Sequence, residues 1–281
     1  MLCALLVGLG LFSLTCTDKS VPTYSSPDVG TAWELRTSGT ADCLNGITWN
    51  GKIFVAVGGT SIYTSKDART WQMRLTGAPG ELRAVTWSGS RFVAVGVHSI
   101  LVSNDALSWS PLTFSGILNS VAASDTLAVA VGDSGLVLTS TDLHTWTKTQ
   151  FTDLRLRAVI WDPAYRYRDG EVPDFTGAFV ISGDQVVGLY RWPNQEKSFI
   201  RLGWNVTWTG AASIDTVVVL TTESCVGYLH GSAPVSIACN AFTYKAITRV
   251  GDSFITVSKG RPTRYNPEGQ GGFQIADSQG R

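Results

Sequence analysis

The chain has 281 residues, of which 44% are hydrophobic and 16% are charged, and its formal net charge is zero. This length is ample for a sizeable apolar core, and low charge combined with 29 glycines is typical of tightly turned β-structure. Because the net charge is zero, no global field attracts nucleic acid or an anionic membrane. The composition therefore predicts a folded β protein and argues against nucleic acid as a partner.

The first sixteen residues predict an export signal. Residues 1–15 are apolar and uncharged, and they are too few for a comfortable membrane-spanning helix. Thr15 followed by Cys16 resembles a bacterial lipoprotein signal, in which Cys16 is lipidated and becomes the first mature residue, although Ser13 replaces the usual leucine. Plain cleavage nearby is the alternative. Residues 17–27 are polar and contain proline and serine, as a tether does.

A short motif then recurs along the chain. Each copy has a serine, an aspartate two residues later and a tryptophan four residues after the aspartate: Ser65, Asp67, Trp71; Ser103, Asp105, Trp109; Ser140, Asp142, Trp146. A looser copy contains Asp28 and Trp33. The aspartates at positions 28, 67, 105 and 142 are 39, 38 and 37 residues apart. A period in this range indicates a repeat architecture.

Each copy lies between two strand-like segments, so the motif is predicted to be a hairpin turn. The serine hydroxyl and the aspartate carboxylate can both accept backbone N–H groups that the turn leaves free. The tryptophan begins the next strand and buries a large apolar face. A single carboxylate per repeat has no paired acid or base, so the motif is predicted to be structural rather than catalytic.

The motif Ser-x-Asp-x-x-(Thr/Ser)-Trp resembles the Asp-box, or BNR repeat, of β-propellers. That group includes sialidases and the photosystem II stability/assembly factor family. The resemblance covers residues 28–281 and implies an all-β propeller of four-stranded blades. It implies no particular activity, because one propeller scaffold carries many functions.

Six predicted first strands give six predicted blades. In the first repeat, residues 44–49, 52–57 and 61–64 precede the motif, and a fourth strand begins at Trp71. The fifth blade is predicted to begin with Val206, Thr207 and Trp208. The strand that begins at Trp33 is expected to complete the sixth blade, because closure removes exposed sheet edges. Seven blades are the alternative, if residues 192–204 contain another.

A polar residue recurs at the start of the predicted first strands: Asn45, Arg83, Asn119, Arg157 and Lys245. The fifth blade departs from this pattern, because alignment on Trp208 places Trp204 there. First strands line a propeller's channel, so these residues are predicted to form a ring at one channel mouth. Such a ring can bind carboxylate or phosphate groups, or an acidic peptide. Alternatively, the side chains bond backbone carbonyls of the adjacent blade.

A long insertion in the fourth blade is a second candidate surface. Residues 162–174 contain Tyr165, Arg166, Tyr167 and Arg168, and loops of this length in compact domains are usually functional or disordered. Alternating tyrosine and arginine suits contact with protein or glycan. The insertion is expected on the same face as the Asp-box turns, opposite the polar ring.

Other chemistry is sparse in the sequence. Cys225 and Cys239 are candidates for a disulfide, with two buried free cysteines as the alternative. His98, His144 and His230 have no metal-like spacing, and no cofactor motif occurs. The sequence therefore predicts neither a metal site nor a cofactor.

The sequence favours a monomeric, non-catalytic binding propeller at the cell envelope, or secreted, with a protein or glycan partner. A glycoside hydrolase of sialidase type is one alternative. The arginine-isoleucine-proline motif implied by that resemblance is missing, and no glutamate on a strand has an evident tyrosine partner. A structural envelope lipoprotein without a defined ligand is the other alternative.

Overall fold

The computed structural model is built of antiparallel sheets. It describes the backbone of residues 3–8, 11–16, 34–37, 39–163, 177–191, 196–201, 207–214, 217–222, 225–230, 236–239, 244–250, 253–258 and 261–265. Side chains are described for residues 39–163, 177–190, 207–213, 218–222, 225, 227 and 247. Within these ranges no helix is long and apolar enough to cross a membrane.

Seven sheets are formed by the described residues. The N-terminal sheet has the order β2-β1-β3 and contains β1 (Cys3–Gly8), β2 (Leu11–Cys16) and β3 (Glu34–Thr37). Sheet 1 contains β4 (Leu44–Trp49), β5 (Phe54–Gly58), β6 (Ser61–Ser65) and β7 (Gln72–Leu75). Sheet 2 contains β8 (Leu82–Trp87), β9 (Phe92–Gly96), β10 (Ser99–Ser103) and β11 (Ser110–Leu112). Sheet 3 contains β12 (Leu118–Ala123), β13 (Ala128–Gly132), β14 (Leu136–Ser140) and β15 (Thr147–Gln150), with a 3-10 turn at Asp133–Gly135.

The remaining sheets continue the same order of strands. Sheet 4 contains β16 (Leu156–Asp162), β17 (Ala178–Gly183), β18 (Val186–Arg191) and β19 (Glu196–Arg201). Sheet 5 contains β20 (Trp208–Ile214), β21 (Val217–Thr222), β22 (Cys225–His230) and β23 (Ser236–Cys239). Sheet 6 contains β24 (Tyr244–Val250), β25 (Ser253–Ser258) and β26 (Arg261–Tyr265). The first strands of sheets 1–6 contact one another in succession.

The prediction of an all-β chain with four-stranded repeats is confirmed. Consecutive strands within each of sheets 1–5 pair antiparallel. The second strands β5, β9 and β13 are short and almost wholly apolar, because both of their faces are covered by neighbouring sheets. The described part of residues 192–204 is β19, which is the fourth strand of sheet 4.

The N-terminal strand differs from its predicted place. β3 follows Trp33 and pairs with β1, whereas the sequence predicted that it completes sheet 6. β2 contacts both β4 of sheet 1 and β24 of sheet 6. The apolar residues 3–16 supply these strands, since a continuous apolar run suits a strand buried on both faces as well as it suits a signal. A signal is removed after synthesis, so this pairing does not test the prediction that residues 1–16 are one.

The fifth repeat begins later than predicted. The proposed strand at residues 206–208 is replaced by β20, which begins at Trp208 and pairs with β21. Trp208 is fully buried, and it occupies the place of the leucines that begin β4, β8, β12 and β16. The sequence prediction misaligned this repeat, because the first residue of its first strand is a tryptophan and not a leucine.

The hydrophobic core is divided between neighbouring sheets. One cluster joins Val93 and Ile100 of sheet 2 to Leu118 and Leu138 of sheet 3. Equivalent clusters lie between sheets 1 and 2, between sheets 3 and 4, and between sheets 4 and 5. Sheets 2, 3 and 4 are therefore each stabilised by two neighbours rather than by a single central core, as in repeat proteins.

The Ser-x-Asp motifs form the turns between the third and fourth strands. We call residues 65–71, 103–109 and 140–146 the box turns. In the first, Asp67 Oδ1 accepts the N–H groups of Arg69 and Thr70, both at 2.8 Å, and the Ser65 hydroxyl at 2.9 Å. Asp105 and Asp142 make the same contacts in the other two turns. These bonds stabilise the ionised carboxylate and lower the pKa of Asp67 to about 2.

The residue after each box aspartate is a buried anchor. Ala68, Ala106 and Leu143 have φ angles of 55°, 63° and 63° and are buried, although glycine usually occupies this left-handed region. Leu143 packs in the cluster between sheets 2 and 3. The serine hydroxyl supports the conformation, because the N–H groups of Ala106 and Leu143 each donate to it at 2.8 Å. Asp28 and Trp33 of the looser copy lie outside the described residues.

Candidate functional site

The predicted polar positions coincide with a β-bulge in every first strand of sheets 1–6. The strand register skips one residue in each of them: Asn45, Arg83, Asn119, Arg157, Thr209 and Lys245. A bulge leaves its extra residue outside the ladder of backbone hydrogen bonds. We call these six residues the bulge ring. The side chain of Lys245 lies outside the described residues.

Thr209 is the member that sequence reasoning missed. It follows Trp208 in the same way that Asn45 follows Leu44, whereas the sequence alignment placed Trp204 at this position. Its hydroxyl donates to the carbonyl oxygen of Thr221 at 3.1 Å, which is on the next strand of its own sheet. A sequence pattern could have located Thr209, because a small residue follows every ring member: Gly46, Ala84, Ser120, Ala158, Gly210 and Ala246.

Those small residues let the first strands approach closely. A Cβ placed on Gly46 would lie 3.0 Å from Ala84 Cα, on the first strand of the next sheet. Ser120 uses its small side chain differently, because its Oγ accepts the N–H of Val159 on β16 at 3.2 Å. The bulge ring is therefore carried by a tight inner layer of strands.

Both ring asparagines join their sheet to the next. Asn45 Nδ2 donates to the Leu82 carbonyl oxygen at 2.8 Å, and Asn119 Nδ2 donates to the Leu156 carbonyl oxygen at 2.7 Å. Asn119 Nδ2 also lies 2.9 Å from Asp133 Oδ1. These are the inter-blade contacts that the sequence offered as the alternative to ligand binding.

Each described ring arginine has a carboxylate partner. Arg83 Nε lies 3.4 Å from Glu81 Oε2, and Arg157 Nε lies 2.6 Å from Asp184 Oδ1. Arg155, which directly precedes β16, adds a third pair with Asp133 at 2.9 Å. About a third of each ring arginine side chain is exposed. The ring surface is therefore close to neutral over its described residues, rather than cationic as the sequence predicted.

The three acidic partners were not predicted. Asp133 and Asp184 directly follow the glycines that end β13 and β17, so the dipeptide Gly-Asp at the end of a second strand was the available signal. Glu81 directly precedes β8. These residues come from loops on the ring face, where the first strand begins and the second strand ends.

A cavity of about 320 Å³ opens beside the ring. It is lined in part by Asp133, Ser134, Lys148 and Gln150, so it shares one carboxylate with the ring network. Gln150 Nε2 donates to the Ser134 carbonyl oxygen at 3.2 Å, which fixes one wall. The ring and this cavity together present hydrogen-bond donors and acceptors beside the apolar side chains of Ile117 and Leu136.

The other predicted site residues lie outside the described part of the chain or in disulfides. Tyr165, Arg166, Tyr167 and Arg168 lie outside the described residues. Cys225 is disulfide-bonded and stands opposite Cys239 in the β22–β23 register, and Cys43 is also disulfide-bonded. Within the described part of the chain, no three His, Cys, Asp or Glu side chains group in a way that could hold a metal ion.

A solved structure of another protein resembles this architecture. The solved structure described as "YCF48 bound to D1 peptide" superposes with a TM-score of 0.65 over 85% of this chain and 83% of that chain. The fold is a β-propeller. The two chains share only 16% sequence identity, so the likeness extends to the fold alone. No protein-family model matches the chain, and no curated protein matches its sequence.

Proposed function

We propose that this propeller is a non-catalytic binding protein, and that it binds a segment of another protein across the bulge ring. The observation that carries this proposal is the bulge ring itself, which presents guanidinium, amide and carboxylate groups in turn on one face. The structurally similar YCF48 propeller is described as bound to a peptide, which adds support for a protein ligand.

The neutral ring favours a peptide over a simple anion. Glu81 and Asp184 already occupy Arg83 and Arg157, so a free phosphate or carboxylate has to compete with them. A peptide needs both donors and acceptors, because each backbone unit carries one N–H and one C=O. The adjoining cavity with Lys148 and Gln150 provides room for a peptide side chain.

The proposal includes a propeller of seven blades in which the N-terminal sheet closes the ring between sheets 6 and 1. Contacts of β2 with β4 and β24 support closure at that place. If the chain is exported to the cell envelope, either lipid-anchored through Cys16 or cleaved and secreted, removal of the signal takes β1 and nearly all of β2 with it, and the proposal is then the six-bladed propeller of sheets 1–6. Disulfide-bonded Cys225 supports an oxidising compartment.

Selection from a random displayed-peptide library tests the proposed function. We expect selected peptides to bind the parent protein, and the Arg83→Ala/Arg157→Ala variant to bind them at least about tenfold more weakly. Arg69→Ala is the matched control, because Arg69 is an exposed arginine in a box turn and not in the ring. Equal affinity for parent and ring variant, with both shown to be folded, would place the binding surface elsewhere.

A further inference from the structure

A second polar groove lies between sheets 2 and 3, among the box turns. Its volume is about 290 Å³. The hairpins that join the first and second strands of sheets 2 and 3 form two walls, with Arg91 on one and Asp125 on the other. The third wall is the box turn that contains His144. The three walls come from adjacent repeats, so the groove is part of the folded ring of sheets.

Arg91 is held in this groove by neutral acceptors. Its Nη1 lies 2.8 Å from His144 Nε2 and 3.2 Å from the Asp142 carbonyl oxygen. Arg91 contacts the backbone carbonyl of Asp142 rather than its carboxylate, whose Oδ1 accepts the N–H groups of its own turn. Among the described residues Arg91 forms no ion pair, unlike Arg83, Arg155 and Arg157. The Arg91 guanidinium is therefore without the carboxylate partner that each of those arginines has.

The groove also carries hydroxyl groups and the carboxylate of Asp125 in addition to Asp142. Ser90, Thr126 and Thr141 line it, and Asp125 lies against the turn at Gly89, where a Cβ on the glycine would be 3.6 Å from Asp125 Oδ1. A guanidinium binds a carboxylate in a fork geometry, while a carboxylate and hydroxyls bind sugar hydroxyls.

Its volume is at the lower end of small-molecule sites, which begin at about 300 Å³. We infer that this groove binds one ring of a carboxylated sugar, with the sugar carboxylate on Arg91 and its hydroxyls near Asp125.

The equivalent place between sheets 1 and 2 lacks this chemistry. There the residue before the second strand is Ile53, and the fifth residue of the box turn is Leu107. They correspond to Arg91 and His144. Arg91 and His144 therefore distinguish the junction between sheets 2 and 3 from the junction between sheets 1 and 2.

Isothermal titration of the full chain with glucuronate, glucose and acetate tests the inference. We expect glucuronate to bind at least about tenfold more tightly than glucose, which lacks the carboxylate, and than acetate, which lacks the hydroxyls. Arg91→Ala should weaken glucuronate binding at least about tenfold, and Arg91→Lys should weaken it less because the charge remains. Arg69→Ala should leave it unchanged.

Three results would overturn the inference: no binding of glucuronate, equal binding of glucuronate and glucose, or unchanged binding by Arg91→Ala. Acetate that binds as tightly as glucuronate would also reject a sugar site. Thermal unfolding of each variant controls for folding. If Arg91→Ala is unstable, weaker glucuronate binding by a folded Arg91→Lys variant still tests the role of Arg91.

Discussion

Arg83 Nη1 donates to Asn119 Oδ1 at 2.6 Å, so the bulges of two adjacent sheets are joined by a single hydrogen bond. Asn119 also bonds to the next sheet, because its Nδ2 donates to the Leu156 carbonyl oxygen in sheet 4. The ring residues thus form a continuous polar network over sheets 2–4. The same side chains that present the proposed binding surface also hold neighbouring sheets together.

Replacement of Asn119 should therefore cost more stability than replacement of Asn45. Asn119→Ala removes the bonds to Arg83, Leu156 and Asp133, and we expect a loss of about 2–3 kcal/mol in the free energy of unfolding. Asn45→Ala removes the bond to Leu82 and a weaker one to Glu81 at 3.4 Å, and should cost about 1 kcal/mol. Urea denaturation measures both, and equal losses would contradict the network described here.

The glycine that ends a second strand should not tolerate alanine. A Cβ on Gly96 would clash with the Glu81 carbonyl oxygen, which accepts the N–H of Val97 at 2.8 Å and cannot easily move. We expect Gly96→Ala to cost about 3 kcal/mol. Gly51→Ala is the control, because Gly51 has a φ of 91° and open space around it and should cost only about 1 kcal/mol. A smaller loss for Gly96→Ala than for Gly51→Ala would disprove this explanation.

The box turns should make the protein sensitive to acid. Backbone N–H bonds from Thr70 and Arg69 lower the pKa of Asp67 to about 2, and the pKa values of Asp105 and Asp142 are lowered by the equivalent bonds. An aspartate in the unfolded chain has a pKa of about 3.9. A carboxylate with a lowered pKa stabilises the fold above the unfolded value and loses that effect as the pH falls through the folded value. The loss is expected between about pH 4 and pH 2.

A triple variant isolates this acid effect. Asp67→Asn/Asp105→Asn/Asp142→Asn keeps an oxygen acceptor in each turn but removes the titrating group. Denaturation at pH 5, 4, 3 and 2 should show a shallower fall in unfolding free energy for the variant than for the parent. Asp153→Asn, in an exposed loop, is the control. Parallel pH profiles for the triple variant and the parent would show that the box aspartates do not carry the acid sensitivity.

The cysteines make the role of the N-terminal residues testable. The chain has five cysteines, and if Cys225 pairs with Cys239, the disulfide of Cys43 has only Cys3 and Cys16 as candidate partners. We expect peptide mapping of the oxidised full-length chain to find Cys43 linked to residues 1–16. A free Cys43 thiol in that chain would contradict the expectation. If residues 1–16 are removed on export, Cys43 loses both candidate partners. A free Cys43 thiol in the exported protein would therefore support the prediction of a signal.

The repeat was predictable because its period and composition both follow from packing. Second strands such as Phe54–Gly58 are buried on both faces, so they read as short apolar runs that end in glycine. The place of residues 3–16 was not predictable, because the same composition suits a buried strand and a signal. Trp208 misled the alignment of sheet 5, because a tryptophan can replace a buried leucine that begins a strand.

The ring positions were predictable, but their electrostatics were not. Asn45, Arg83, Asn119 and Arg157 recur at one place in the repeat, which a sequence shows directly. The neutralising partners come from other loops, so only the folded chain brings Asp184 to Arg157 across 27 positions. The groove at Arg91 was missed for the same reason, since His144 is 53 positions away.

Hydrogen–deuterium exchange with a selected peptide bound tests the central claim most directly. We predict that the peptide protects the segments around Glu81–Arg83, Asn119 and Arg155–Arg157, because these carry the bulge ring. The box turns on the opposite face should exchange as in the free protein. Protection confined to the box turns, or no protection of the ring segments at saturating peptide, would contradict binding across the bulge ring.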